Sequence, residues 1–174
     1  MGRIRGFTLI ELMVTLAVFA IVAGLAIPSF TQMIRDNRSV ALADNLLSAA
    51  QYARAQAVTV KGAVSLCASA DGATCGADWT AGWIVFADGA ATETATPPQV
   101  SEVLRHWEAP GSNASIEVQQ NSTDTNFIRF TGLGTLARTG NAAIAAKIEG
   151  CTGNSARNIT INRGGVARAT AAEC

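Results

Sequence analysis

Residues 7–27 form an apolar run of 21 residues interrupted by a single charge, Glu11, and the run ends at Pro28. About 20 apolar residues in a helix span a bilayer, so the stretch is long enough to cross one. A lone carboxylate at the centre of such a helix costs roughly 2.5–3.5 kcal/mol on insertion scales and less near the interface. A chain that keeps it has a use for it, and the rest of the molecule must fold around a segment of this kind.

The flanks give the segment a direction. Arg3 and Arg5 precede it, and the positive-inside rule puts them on the cytoplasmic side with the bulk of the chain outside. The competing reading is an ordinary secretory signal, for which Gly24-Leu25-Ala26 supplies small residues after the apolar stretch. Glu11 argues against it, because the hydrophobic region of such signals avoids charge.

Helical pattern resumes directly after Pro28, a residue that bends a helix by removing one hydrogen bond. Leu42, Leu46, Ala49, Ala53 and Ala57 fall on one stripe of a helix, narrowing to alanine so that a flat partner such as a sheet can approach closely. A helix from residue 7 to about 58 is on the order of 80 Å long at 1.5 Å per residue. From Lys61 the pattern changes to strands at 63–68, 82–87, 100–107, 115–119, 127–131, 143–148, 158–162 and 166–169. Asp71-Gly72, Asp88-Gly89, Pro97-Pro98, Pro110-Gly111, Gly132-Leu133-Gly134 and Gly164-Gly165 provide turns between them. Residues 90–98 read as an exposed loop. The expected class is α+β: one long helix laid on an antiparallel β-rich head.

The head, residues 61–174, contains all four cysteines, Cys67, Cys75, Cys151 and Cys174. Four cysteines allow three pairings. The spacings favour a local Cys67–Cys75 loop and a Cys151–Cys174 staple of the C-terminus, and paired cysteines beyond a membrane segment imply a periplasmic or surface location. The net charge is zero but unevenly spread. Residues 71–124 hold eight acids against Arg105 alone, whereas 125–174 hold six bases against Glu149 and Glu173, a distribution that fits either solvated loops of each sign or complementary packing against neighbouring subunits.

No cofactor or metal is expected, because no Cys-x-x-Cys motif and no histidine cluster is present. The one histidine, His106, lies in a strand-like segment without a serine or cysteine nucleophile signature, and the paired glycines are too short for a phosphate loop. The chain reads as non-catalytic.

Gly6-Phe7-Thr8-Leu9-Ile10-Glu11-Leu12 after a short basic leader resembles the class III signal of type IV pilins and pseudopilins, and Pro28 stands where many of them carry a helix-bending proline. The resemblance implies a leader of residues 1–6 removed by a prepilin peptidase between Gly6 and Phe7, and methylation of the new Phe7 amine. It divides the spine into a membrane and assembly half, 7–27, and an amphipathic half, 28–60. It also implies that Glu11 pairs with the Phe7 ammonium of a neighbouring subunit during assembly, which would relieve the cost of a carboxylate in hydrocarbon.

The head is similar to the GspH/FimT-type minor pilins through Ser65-Leu66-Cys67, Asp71-Gly72, Cys75, Asp78-Trp79, the stretch 82–86, Asp88, 127–133 and 158–168. This similarity implies a structural protein that primes or caps pilus assembly by packing. Its partners would be major and minor pilins, the prepilin peptidase and the inner-membrane assembly platform. Its location would be the inner membrane with a periplasmic head, then the pilus at the cell surface. A type II secretion minor pseudopilin is the neighbouring alternative, disfavoured because that branch usually lacks these cysteines. DNA capture for natural transformation ranks lower. Members that do so carry Gly-Arg-x-Arg, and here the stretch is Gly165-Val166-Ala167-Arg168, leaving Arg163 and Arg168 as the candidate DNA contacts. One lost phosphate contact weakens binding and flattens its salt dependence by about one unit of slope.

Overall fold

The computed structural model describes residues 6–174, with the side chains of residues 25, 26 and 28 left aside. Residues 1–5 of the expected leader, with Arg3 and Arg5, lie outside the described residues, and so does the side chain of Pro28, on which the expected bend rests. One helix, α1, runs from Leu9–Val60 and is 52 residues long. It stops because Lys61 turns into the left-handed region at φ 52°, with its N–H and that of Gly62 both donating to the Ala57 carbonyl.

Nine strands follow among the described residues: β1 (Val64–Ala68), β2 (Gly82–Asp88), β3 (Val100–Glu108), β4 (Ala114–Gln120), β5 (Thr123–Asp124), β6 (Phe127–Phe130), β7 (Ala142–Ile148), β8 (Ala156–Ile161) and β9 (Ala167–Ala172). The β-rich head consists of two sheets: a four-stranded sheet in the order β3-β2-β1-β6 and a five-stranded one in the order β5-β4-β7-β8-β9. All pairs are antiparallel. β6 belongs with β1 rather than with its chain neighbours, pairing Phe130 with Val64 and Phe127 with Cys67.

The helical stripe packs on both sheets. Leu46, Ala49, Ala53 and Ala57 are fully buried, together with Val64, Leu66 and Val85 of the first sheet and Ile144, Ile159 and Ile161 of the second. Alanine along the stripe brings the helix backbone close to the strands, where larger side chains would hold it off. β7 and β8 read as alternating patterns, with Ile144, Ala146 and Ile148 inward and Ala143, Ala145 and Asn158 outward. β1 and most of β2 are buried throughout because the four-stranded sheet is covered on both faces. The helix lies on one face. On the other, Cys67, Ile84, Phe86 and Phe127 form a second small cluster with Cys75 and Val100.

Candidate functional site

The N-terminal motif stands clear of the head. Phe7 is 85% exposed, and the space around Gly6 is open, with nothing within 4 Å of where a side chain would begin. Thr8 is the N-cap of α1. Its hydroxyl accepts from the Glu11 N–H at 3.3 Å, and the Glu11 carboxylate accepts from the Thr8 N–H at 3.5 Å. This reciprocal capping box satisfies two N–H groups the helix would otherwise leave open, and it sets a negative charge against the positive end of the helix dipole. The carboxylate is thus in the first turn of the helix and has a polar partner in its own chain. The Thr8-x-x-Glu11 spacing advertises such a box; it was overshadowed by the apolar run around it.

From Leu9 to Ile34 the large apolar side chains described are exposed on every side of the helix, Leu9, Ile10, Leu12, Val14, Phe19 and Ile21 among them. The helix is long and apolar enough to cross a membrane. Among the described residues, no other part of the chain covers this apolar stretch.

The head takes hold of the spine at Gln32 and Asp36. The Gln32 amide donates to the Gly150 carbonyl at 3.0 Å and to Asp36 at 3.1 Å; Asp36 accepts from the Thr152 N–H at 2.8 Å and from its hydroxyl at 3.0 Å. The Thr152 N–H is the main reason that the Asp36 carboxyl sits below the usual carboxylate range. Between Gly150 and Thr152, Cys151 is bridged to Cys174, so the same loop that grips the helix also holds the end of β9. Further along, the Ser39 hydroxyl accepts from the Ile148 N–H.

The second disulfide, Cys67–Cys75, closes a loop organised by Asp71. That carboxylate accepts from the N–H groups of Ala73 and Thr74 and from the hydroxyls of Thr74 and Ser69, the Thr74 hydroxyl being the strongest influence, and its pKa lies far below the ordinary value. Trp79 and Trp83 are core residues; Trp79 donates from its indole to the Thr125 carbonyl, and Trp83 stacks on Trp107. His106 is exposed on β3, its ring against Gly72.

One buried constellation escaped the sequence reading. Arg129 and Asp88 form an ion pair at 2.7 Å, both side chains fully inaccessible. Arg129 also donates to the carbonyls of Glu93 at 2.7 Å and Ala95 at 2.8 Å. Asp88 accepts from the Ser65 hydroxyl and from the N–H groups of Ala90 and Gln99. The segment between β2 and β3, expected as a simple exposed loop, is therefore pinned to the sheet from below. The available signal was Arg129 itself, a charge inside the apolar run Phe127-Ile128-Arg129-Phe130.

The bases considered for DNA fall in the β8–β9 hairpin. Arg163 is exposed in the turn, Arg168 is exposed on β9 opposite Thr160, and Val166 stands between them, 39% exposed.

Comparison with known proteins adds two family matches. The model of the type II transport protein GspH matches residues 42–165, and that of the prokaryotic N-terminal methylation motif matches residues 1–27. Among solved structures, the type IV minor pilin FimU of Pseudomonas aeruginosa strain PAO1 is similar in two crystal forms. The P21 form is 21% identical, covers 78% of this chain and 93% of that one, and has a TM-score of 0.60. The P65 form is 22% identical, covers 75% and 94%, and has a TM-score of 0.55. At these identities the likeness shows a common fold. A search of curated protein sequences gives no significant match.

Proposed function

The chain belongs to the GspH family of type II transport proteins, and from that premise we propose that it is a minor type IV pilin that primes or caps pilus assembly. The observation that carries the reading is the division of one continuous helix. Its first half is apolar and uncovered, and one face of its second half is buried under a head of its own. A helix that exposes so much apolar surface needs lipid or other helices of its kind around it. In this reading it has both in turn: lipid before assembly, then the spines of other pilins. The head presents specific surfaces, and its work is packing rather than catalysis, as in the structural proteins of this family.

The open geometry at Gly6 and Phe7 supports cleavage by a prepilin peptidase between them, followed by methylation of the Phe7 amine. The small residue leaves the bond accessible, and nothing in the head approaches it. Glu11 then serves the neighbouring subunit's Phe7 ammonium. The capping box supports this role by holding the carboxylate near the helix end in the first turn, and one of its oxygens remains free of the Thr8 N–H. A stronger, charged donor would displace the 3.5 Å contact at little cost.

The family model's own description favours a second reading, a minor pseudopilin of type II secretion. The two share the spine and differ in where the protein works. Intact mass and N-terminal sequencing of the mature chain test what they have in common: a product starting at N-methylated Phe7 is expected, and one starting at Ile27 would overturn both. Sheared surface fibres then separate them, because a pilus subunit is recovered in that fraction.

A further inference from the structure

Beyond the apolar half of the helix, the remaining exposed large hydrophobics are Val58 and Val60 at the end of α1 and Val103, Leu133 and Val166 in the head. Four of these five gather at the C-terminal end of the spine. The Gly132 backbone lies against the backbone of Lys61 and Gly62, and Gly134 lies against the Val58 side chain and Arg54. This sets Leu133, 86% exposed, at the tip of a turn resting on the helix end. Gly165 has φ +78° and sits so tightly on the Gly134 carbonyl that a Cβ there would collide with it, which brings Val166 alongside. The Arg54 Nε donates to that same carbonyl at 3.0 Å, and the Leu136 N–H donates to the Arg163 carbonyl at 3.0 Å. An open groove of about 520 Å³ runs between the helix and the start of β9, lined by Arg54, Val58, Val166 and Ala167. Three bases belong to this end of the molecule: Arg54 lines the groove, the backbone of exposed Lys61 lies against Gly132, and exposed Arg163 is joined to the same turn region through the Leu136 N–H.

We propose that this end of the spine is a docking surface for the head of another fibre subunit, one that presents an apolar side chain flanked by carboxylates. The proposal rests on the fibre reading above. Apolar side chains held out on a rigid turn, with bases at the rim, have the anatomy of an interface with a hydrophobic centre and a charged border. The rim charge selects an acidic partner. The place selects a subunit: over residues 34–60, at 1.5 Å per residue, the surface lies about 40 Å past the apolar half of the helix. When spines bundle side by side through their apolar halves, that level lies among heads, because the head takes hold of the helix from Gln32 onward. The glycine contacts fix the surface before the partner arrives, so little ordering is lost on docking.

The test is in-cell photocrosslinking in the full-length chain, with Leu133→p-benzoylphenylalanine as the probe and the same substitution at exposed Thr160 as the control. The expected result is an adduct with a pilin-type head at Leu133, several-fold above the control, mapped to a segment bearing carboxylates. It should fall at least fivefold when Lys61→Glu and Arg163→Glu are combined with the probe. Adducts with lipid or DNA alone would overturn the proposal and give the surface to that occupant. An adduct no stronger than at Thr160, in a chain recovered from fibres, would overturn the docking surface and leave the fibre role standing. Absence from both fibres and adducts would remove the two together.

Discussion

Asp88 and Arg129 meet out of reach of solvent, Oδ2 to Nε at 2.7 Å, and between them they fasten the segment joining β2 to β3. Asp88 holds the two ends of that segment through the N–H groups of Ala90 and Gln99; Arg129 holds its middle through the carbonyls of Glu93 and Ala95. Removing one partner of a buried pair leaves the other charge uncompensated, which costs about 3–5 kcal/mol. Arg129→Leu is therefore expected to lower the stability of the full chain in detergent by that amount and to open the segment to cleavage after Glu93. Urea unfolding and limited digestion by a glutamate-specific protease measure the two effects. A loss under about 1 kcal/mol, the level of an exposed pair, would mean the pair is not the fastening.

Acid should undo the same fastening. Burial pushes the Asp88 carboxyl up, but the Ser65 hydroxyl, the Gln99 N–H, Arg129 and the Ala90 N–H together outweigh it and hold the folded pKa below the ordinary value. The unfolded chain then binds its proton at higher pH than the folded one. The stabilisation is complete above the unfolded pKa, about 3.9, and is lost as pH falls through the lower folded value. Asp36, Asp71 and Asp78 shift in the same direction and add to the trend. Unfolding midpoints should be flat from pH 7 to about 5 and decline below about 4, the region of the unfolded carboxylate pKa. Asp88→Asn should be less stable at neutral pH and show a shallower decline. An equally steep decline in Asp88→Asn would assign the acid sensitivity to other carboxylates.

The C-terminal staple has a local and a distant effect. Replacing both members, Cys151→Ser with Cys174→Ser, is expected to cost about 2–4 kcal/mol. It should also speed amide exchange in β9 and at Thr152, whose N–H is held by Asp36 on the helix. Exchange confined to the last residues of the chain would show that the loop grips the helix without help from the disulfide.

At the other end of the spine, Glu11→Ala should leave a precursor that is inserted and processed yet enters fibres poorly, and Gly6→Val should leave the precursor uncut. Immunoblots of membrane and sheared-fibre fractions distinguish these outcomes. Normal incorporation of Glu11→Ala would sink the intersubunit pairing. Because Glu11 also caps its own helix, Glu11→Gln is the sharper variant: it keeps a cap acceptor and removes the charge.

The spine was readable because its signal is periodic: Leu42, Leu46, Ala49, Ala53 and Ala57 can share a face only in a helix, and all are buried. Each main strand was legible from alternation or a buried run, within two or three residues at its ends. Their grouping was not. Nothing local in Phe127-Ile128-Arg129-Phe130 says that it pairs with residues 64–67 and not with the strands next to it in sequence. β5 is two residues long and leaves no pattern to read. Asp88 carried a turn signal and Arg129 a misplaced charge, but the two are 41 residues apart and only the fold brings them together. At the N-terminus the motif residues were all visible, whereas the capping box required attention to Thr8 as well as Glu11.

The grip of Gln32 and Asp36 on residues 150–152 has a mechanical consequence. In the fibre role proposed above, a pull along the spine enters the head first at this joint, the one nearest the uncovered apolar half of the helix. Side-chain hydrogen bonds alone would peel one after another from that point. Cys151 sits inside the gripping loop and is covalently tied to the end of β9, so tension reaching Thr152 is handed at once to a second strand. β9 lies along β8 through six residue pairs, which would have to slide together instead of unzipping singly. The staple turns a point of peeling into a zone of shear, the stronger geometry for a joint under tension.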